Sequence, residues 1–278
     1  MRVIMLGAVA LFAAAFLIVP SDVQAAFDSA ADPAYADGWQ AGDNGGSGFL
    51  PWTFTYSGIA PANHSDHFID TAPLAANALG APAFGLTNSG RDFFFDTATA
   101  ERRFASVLTV GQTFSVDVDG ASFAGGDTSP FSKGNTITLR NSAAAERFGM
   151  FTNNGFLGDT WTVLNPLGAG SNITTGIPAS ASFHLAFTLT GTETYDLVLL
   201  PIGGGAPLFQ QLGATLRTTT AGTVIDRVRL ADYGTGSSAD GSSEMFFNNL
   251  SIVPEPASLL MVVVAGCVLL AGIRRRNS

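Results

Sequence analysis

Between residues 26 and 252, apolar and polar side chains alternate in short runs, and no apolar set recurs at the 3.6-residue spacing of a long amphipathic helix. Such a pattern predicts strands, because successive strand side chains point to opposite faces. The clearest run is Thr113–Asp119, where Phe114, Val116 and Val118 face one way and Ser115, Asp117 and Asp119 the other. Ser182–Thr190 alternates as strictly, with Phe183, Leu185, Phe187 and Leu189 on its apolar face. In Trp52–Ser57 the rings of Trp52, Phe54 and Tyr56 share a face. Further strands fit 83–87, 92–95, 136–140, 147–151, 161–164, 195–200, 214–218, 223–230 and 245–253. Asp119-Gly120, Asn153-Asn154-Gly155 and Gly191-Thr192-Glu193 supply turns, the first two because Asn, Asp and Gly tolerate turn geometry. About ten to twelve short strands predict an all-β fold, an antiparallel two-sheet sandwich of the jelly-roll or lectin-like kind. Residues 26–49 read as a loop pinned by Trp39, and 58–81 as a less regular segment.

Both ends break this pattern. Residues 1–25 carry Arg2, an apolar run from Val3 to Val19, and small or modest residues at Val23 and Ala25, which predicts a signal peptide cut by signal peptidase between Ala25 and Ala26. Residues 253–278 contain Pro254-Glu255-Pro256, an uncharged run over 257–273, and Arg274, Arg275 and Arg276. At about 1.5 Å per residue that run spans roughly 25 Å, enough for a transmembrane helix. The arginines belong on the cytoplasmic side, so 26–252 faces outward as one extracellular domain.

The order of that tail, Val253-Pro254-Glu255-Pro256, then the apolar run, then Arg274–Arg276, resembles the sorting tail of the PEP-CTERM proteins. The resemblance implies recognition of Pro254, Glu255 and Pro256 by a membrane transpeptidase of the exosortase type. It also implies transient residence in the inner membrane and release to the cell surface or extracellular space. Three blocks, 38–49, 108–115 and 246–252, look like a body common to a subset of such proteins, itself similar to concanavalin A-like sandwiches.

Charge and cysteine usage narrow the partners. Thirteen Lys and Arg stand against 22 Asp and Glu, a formal net charge of −9. The signal segment is neutral and the tail basic, so the domain between them is more acidic than the whole; nucleic acid and anionic lipid surfaces are disfavoured as partners. The one cysteine, Cys267, lies in the apolar tail, leaving the domain without disulfide or thiol chemistry.

Catalytic motifs do not surface. A sandwich glucanase motif Glu-x-Asp-x-x-Glu is absent, as is a Gly-x-Ser-x-Gly elbow, and the domain's glutamates are Glu101, Glu146, Glu193 and Glu244. No cofactor is expected. Calcium has candidate ligands in Asp117 and Asp119 on one strand face, although a polar outer face accounts for them without an ion. His64-x-x-His67 with Asp66 has metal-ligand residue types but reads as a solvated polar loop. For sugar stacking, Trp52 and Trp161 sit in alternating strands and read as core, whereas Trp39 and Tyr233 lie in glycine-rich stretches beside hydrogen-bonding groups such as Asp43 and Asn44. The expected function is an exported, non-catalytic protein of the cell surface or of an extracellular polysaccharide matrix such as a biofilm. A carbohydrate-binding lectin-like module is the alternative, and a glycoside hydrolase the third reading.

Overall fold

The computed structural model describes residues 25–57, 65–71, 78–88, 96–120, 134–152, 160–166, 171–217, 224–234 and 243–254. The signal segment before Ala25, His64, the strand expected at 92–95, the Asn153-Asn154-Gly155 turn, Glu255, Pro256, the apolar run 257–273 and Arg274–Arg276 lie outside the described residues. Among those described, no helix is long and apolar enough to cross a membrane.

The described chain is an all-β antiparallel sandwich. Its strands are β1 (Ala26–Asp28), β2 (Phe49–Ser57), β3 (Ser65–Asp70), β4 (Ala83–Asn88), β5 (Asp96–Leu108), β6 (Gln112–Asp119), β7 (Gly134–Arg140) and β8 (Glu146–Phe151). They continue with β9 (Thr160–Val163), β10 (Ile173–Pro178), β11 (Ser182–Leu189), β12 (Thr194–Leu200), β13 (Phe209–Thr215), β14 (Ile225–Gly234) and β15 (Ser243–Pro254). One sheet runs β13-β12-β11-β6-β15-β4-β3, with β1 added alongside β15; the other runs β10-β9-β8-β7-β14-β5-β2.

Alternation decides the core. Phe114, Val116 and Val118 of β6 and Phe183, Leu185 and Phe187 of β11 are fully buried against Leu139, Phe148, Met150, Val228 and Leu230 of the opposing sheet. The register pairs Val118 with Phe183 and Phe247, so the inward face is continuous across the three central strands. Trp52 and Trp161 are core residues, as their strands predict.

Several segments depart from the sequence reading. Residues 26–49 are more than a loop: β1 pairs Ala26 with Ile252 and Asp28 with Leu250, and a 3-10 turn at Pro33–Tyr35 is capped by the Asp32 carboxylate accepting from the Ala34 N–H at 2.9 Å. The charged stretch around Glu101-Arg102-Arg103 belongs to the longest strand, β5, which has no clean alternation because Arg102 points into the core. His67 is no solvated loop residue; it sits in β3, half-buried, stacked on Phe54 at 3.8 Å with the Tyr56 hydroxyl against its Nδ1.

Candidate functional site

The residues singled out for ligand contact do not converge. Trp39 is 3% exposed, its ring 4.7 to 5.0 Å from those of Phe84, Phe54 and Trp52, so it plugs the sandwich and offers no face to a sugar. Asp43 caps its own loop, accepting from the Gln40 N–H at 2.7 Å, and the Asn44 carbonyl oxygen accepts from Arg102 at 3.0 Å. Tyr233 lies on the outer face of β14, where its hydroxyl donates to the Thr152 carbonyl at 2.6 Å and burial pushes its phenol well above the usual range. Trp39 is inside the sandwich and Tyr233 on its outer face, so no shared site forms.

The two calcium candidates are engaged elsewhere. Asp117 receives His184 Nδ1 on one oxygen at 2.7 Å and the Asn249 amide on the other at 2.8 Å; a bulge between Asn248 and Ser251, with Asn249 at φ 53°, aims that amide. Asp119 is 2% exposed and accepts from the Ala78 N–H. Among the described residues no group of three or more His, Cys, Asp or Glu gathers as a metal site.

A different constellation stands on the outer face of the second sheet. Glu101 and Arg103 alternate outward on β5, as do Arg227 and Arg229 on β14 and Thr138 and Arg140 on β7. Register places Thr53, Glu101, Arg229 and Thr138 in one row and Arg103, Arg227 and Arg140 in the next. Glu101 bridges the rows, accepting from Arg227 Nη1 at 2.9 Å and from Arg140 Nη1 at 3.5 Å. Arg227 is held further by Asp226 at 2.8 Å.

The charges on this face do not cancel. Four guanidinium groups, on Arg103, Arg140, Arg227 and Arg229, meet the carboxylates of Glu101 and Asp226 and, opposite Arg140 in register, that of Glu146, which Arg217 already engages. Arg229 directs one N–H to Thr99 Oγ1 at 3.2 Å; among the described residues it pairs with no carboxylate and Arg140 Nε has no partner. Burial, then the neighbouring charge of Arg140, push the Arg229 guanidinium below its usual range. In a chain of net charge −9, this is a local excess of cationic groups on the outer face of the sheet, beside the exposed Thr53 and Thr55. The sequence reading missed it. The signal was there in the i, i+2 spacing of Glu101 with Arg103 and of Arg227 with Arg229, which puts each pair on one strand face.

Two further carboxylates are paired, one of them, Glu146, directly across from Arg140 in register. Glu193 accepts from Arg147 at 2.6 Å and Glu146 from Arg217 at 2.5 Å. Glu244 is unlike them: burial, then the charge of Asp70, raises its pKa.

No family model matches this sequence, and no curated protein matches it either. Solved structures are similar in fold. A family 16 glycosyl hydrolase from Mycobacterium smegmatis is 15% identical, with 84% of this chain and 100% of that one covered at a TM-score of 0.44. A β-1,3-glucanase from Mycobacterium marinum is 14% identical, covering 69% and 92% at 0.39. A Mycobacterium tuberculosis protein described as a pseudo β-1,3-glucanase is 15% identical, covering 77% and 94% at 0.41. The expected kind of protein, a non-catalytic surface or matrix component, is not what these neighbours are: they are described as a hydrolase, a glucanase and a pseudo-glucanase. At such identities and scores the likeness stops at the sandwich and transfers no activity to this chain.

Proposed function

We propose that this protein binds anionic saccharides on the outer face of its second sheet. The observation that carries the reading is the arginine face itself: Arg103, Arg140, Arg217, Arg227 and Arg229 against the carboxylates of Glu101, Glu146 and Asp226, with Arg229 in no ion pair among the described residues. Guanidinium forks match carboxylate geometry with two parallel hydrogen bonds, so a uronate carboxylate set across Arg229 and Arg140 would relieve their mutual repulsion. Of the neighbouring threonines, Thr53 and Thr55 are exposed, and hydroxyls donate and accept as sugar hydroxyls require. Binding without turnover is supported by the commitment of Glu101, Glu146 and Glu193 to arginine partners.

The same proposal places the protein outside the cytoplasm, after export by the signal segment and processing of the tail by an exosortase-type transpeptidase. Supporting this, β1 starts at Ala26, the residue after the expected cleavage, and lies beside Ile252, two residues before Pro254. Both targeting segments would then leave the sandwich at one point, where a single membrane can hold them.

Binding to polygalacturonate or alginate, compared with neutral β-glucan and duplex DNA, tests the reading. Expected are retention of the uronate polymers, weakening as salt rises, and about tenfold loss for Arg229→Gln. Equal retention of neutral glucan, or of DNA, would overturn it. Intact mass of the exported protein tests the processing: a chain beginning at Ala26 and ending near Pro254 is expected, and an intact tail would count against it.

A further inference from the structure

The two edges of the sandwich are built differently. At the edge formed by β2 and β3, Trp39, Phe54, Tyr56 and His67 stack across the gap and close it. At the other, the terminal strands are β10 and β13, and between them opens a cavity of about 390 Å³. Its apolar wall comes from Leu164, Pro166 and Ile173, and its polar groups include Tyr195, Gln211 and Thr215.

Three features of this cleft point to a ligand. Its volume falls within the roughly 300 to 1,000 Å³ of small-molecule sites. Gln211 Oε1 is buried and, among the described residues, accepts no hydrogen bond, an unfavourable state that an arriving donor would relieve. Tyr195 is packed rigidly, stacked on Phe187 at 5.0 Å and edge-on to Phe148 at 5.4 Å; burial pushes its phenol up to about 12, so it stays a neutral hydroxyl. None of the described residues lining the cleft is charged.

We infer that the β10–β13 cleft is a second binding site, for one neutral, hydroxyl-bearing ring of pyranose size. An apolar ring face would lie on Leu164, Pro166 and Ile173, while a ring hydroxyl donates to Gln211 Oε1. An acyl chain would leave Gln211 unsatisfied, and a carboxylated sugar would find no cation among these residues. This site is separate from the arginine face and does not depend on it.

The test is titration of the isotopically labelled domain with methyl β-glucoside up to about 100 mM, the weak end of affinities for a single small ring, beside cyclohexane methanol and glucuronate. Expected are shift changes confined to Tyr195, Gln211, Thr215 and their neighbours for the glucoside, with weaker changes for the other two. Gln211→Leu removes the orphan acceptor, so it should leave thermal stability unchanged or higher while weakening glucoside binding about tenfold. Thr215→Ile, which narrows the cleft without touching Gln211, should weaken it as well and serves should the first variant fold poorly. No shifts at these residues, unchanged binding in a folded variant, or glucuronate binding as well as the glucoside would each overturn the assignment.

Discussion

The guanidinium of Arg102 and the carboxylate of Asp28 form an ion pair in which neither side chain is exposed at all. Arg102 also donates to the Tyr35 hydroxyl at 2.7 Å, the Gly45 carbonyl at 2.7 Å and the Leu50 carbonyl at 3.0 Å, and its Cζ lies 4.9 Å from the Trp52 ring centroid. One arginine thereby ties β1, the 3-10 turn and the following loop to β5. Breaking a buried pair from one side leaves the other charge uncompensated, at about 3 to 5 kcal/mol. Asp28→Ala should lose that much stability in urea unfolding, and a domain starting at Ser29 should lose as much. A loss below about 1 kcal/mol would show that the pair is incidental.

His67 makes the fold sensitive to mild acid. Burial, outweighing the attraction of Asp66 and Asp43, lowers its pKa below the usual 6.5. A lowered histidine pKa means the unfolded chain takes up the proton first, so this contribution is full above pH 6.5 and is lost as pH falls through the folded value. Melting temperature should therefore drop below about pH 6.5. His67→Phe, which keeps the stack on Phe54 and Trp39, should flatten that part of the profile. An unchanged slope would place the sensitivity elsewhere.

Glu244 has the opposite sign. Its raised pKa means that ionisation costs native stability: the penalty is full above the folded value and gone below the unfolded 4.5. Glu244→Gln should raise the melting temperature at pH 7 and leave it unchanged near pH 3.5. A fall at pH 7 would show that the carboxylate makes a stabilising bond.

Gly46 is held at φ +69°, where an added Cβ would lie 1.9 Å from the Phe27 carbonyl oxygen, in the turn that bonds Phe27 to Ser47. Gly46→Ala combines a left-handed backbone with that collision, so a loss of about 2 kcal/mol or more is expected in denaturant unfolding. A near-neutral result would mean that the loop swings away without cost to β1.

Much of the sandwich was legible because its central strands obey a period of two. Thr113–Asp119 and Ser182–Thr190 were read with the right inward faces, and β15 was read to within two residues. The strand at 214–218 was misplaced: β13 runs Phe209–Thr215 at an edge, where both faces of the strand see solvent and alternation fades. β5 was missed because a buried arginine looks, in sequence, like one more solvated charge.

By itself the sequence determined the class of fold and the identity of the two inward-facing surfaces, since alternation over a few residues is a local property and needs no partner to be read. Only the tertiary structure decided that Trp39 is a plug, that Arg102 is neutralised by a carboxylate 74 positions earlier, and that Glu101, Arg140, Arg227 and Arg229 share a face. Those facts depend on strand order and register, which arise from contacts between distant segments and leave no trace in the spacing along any one of them.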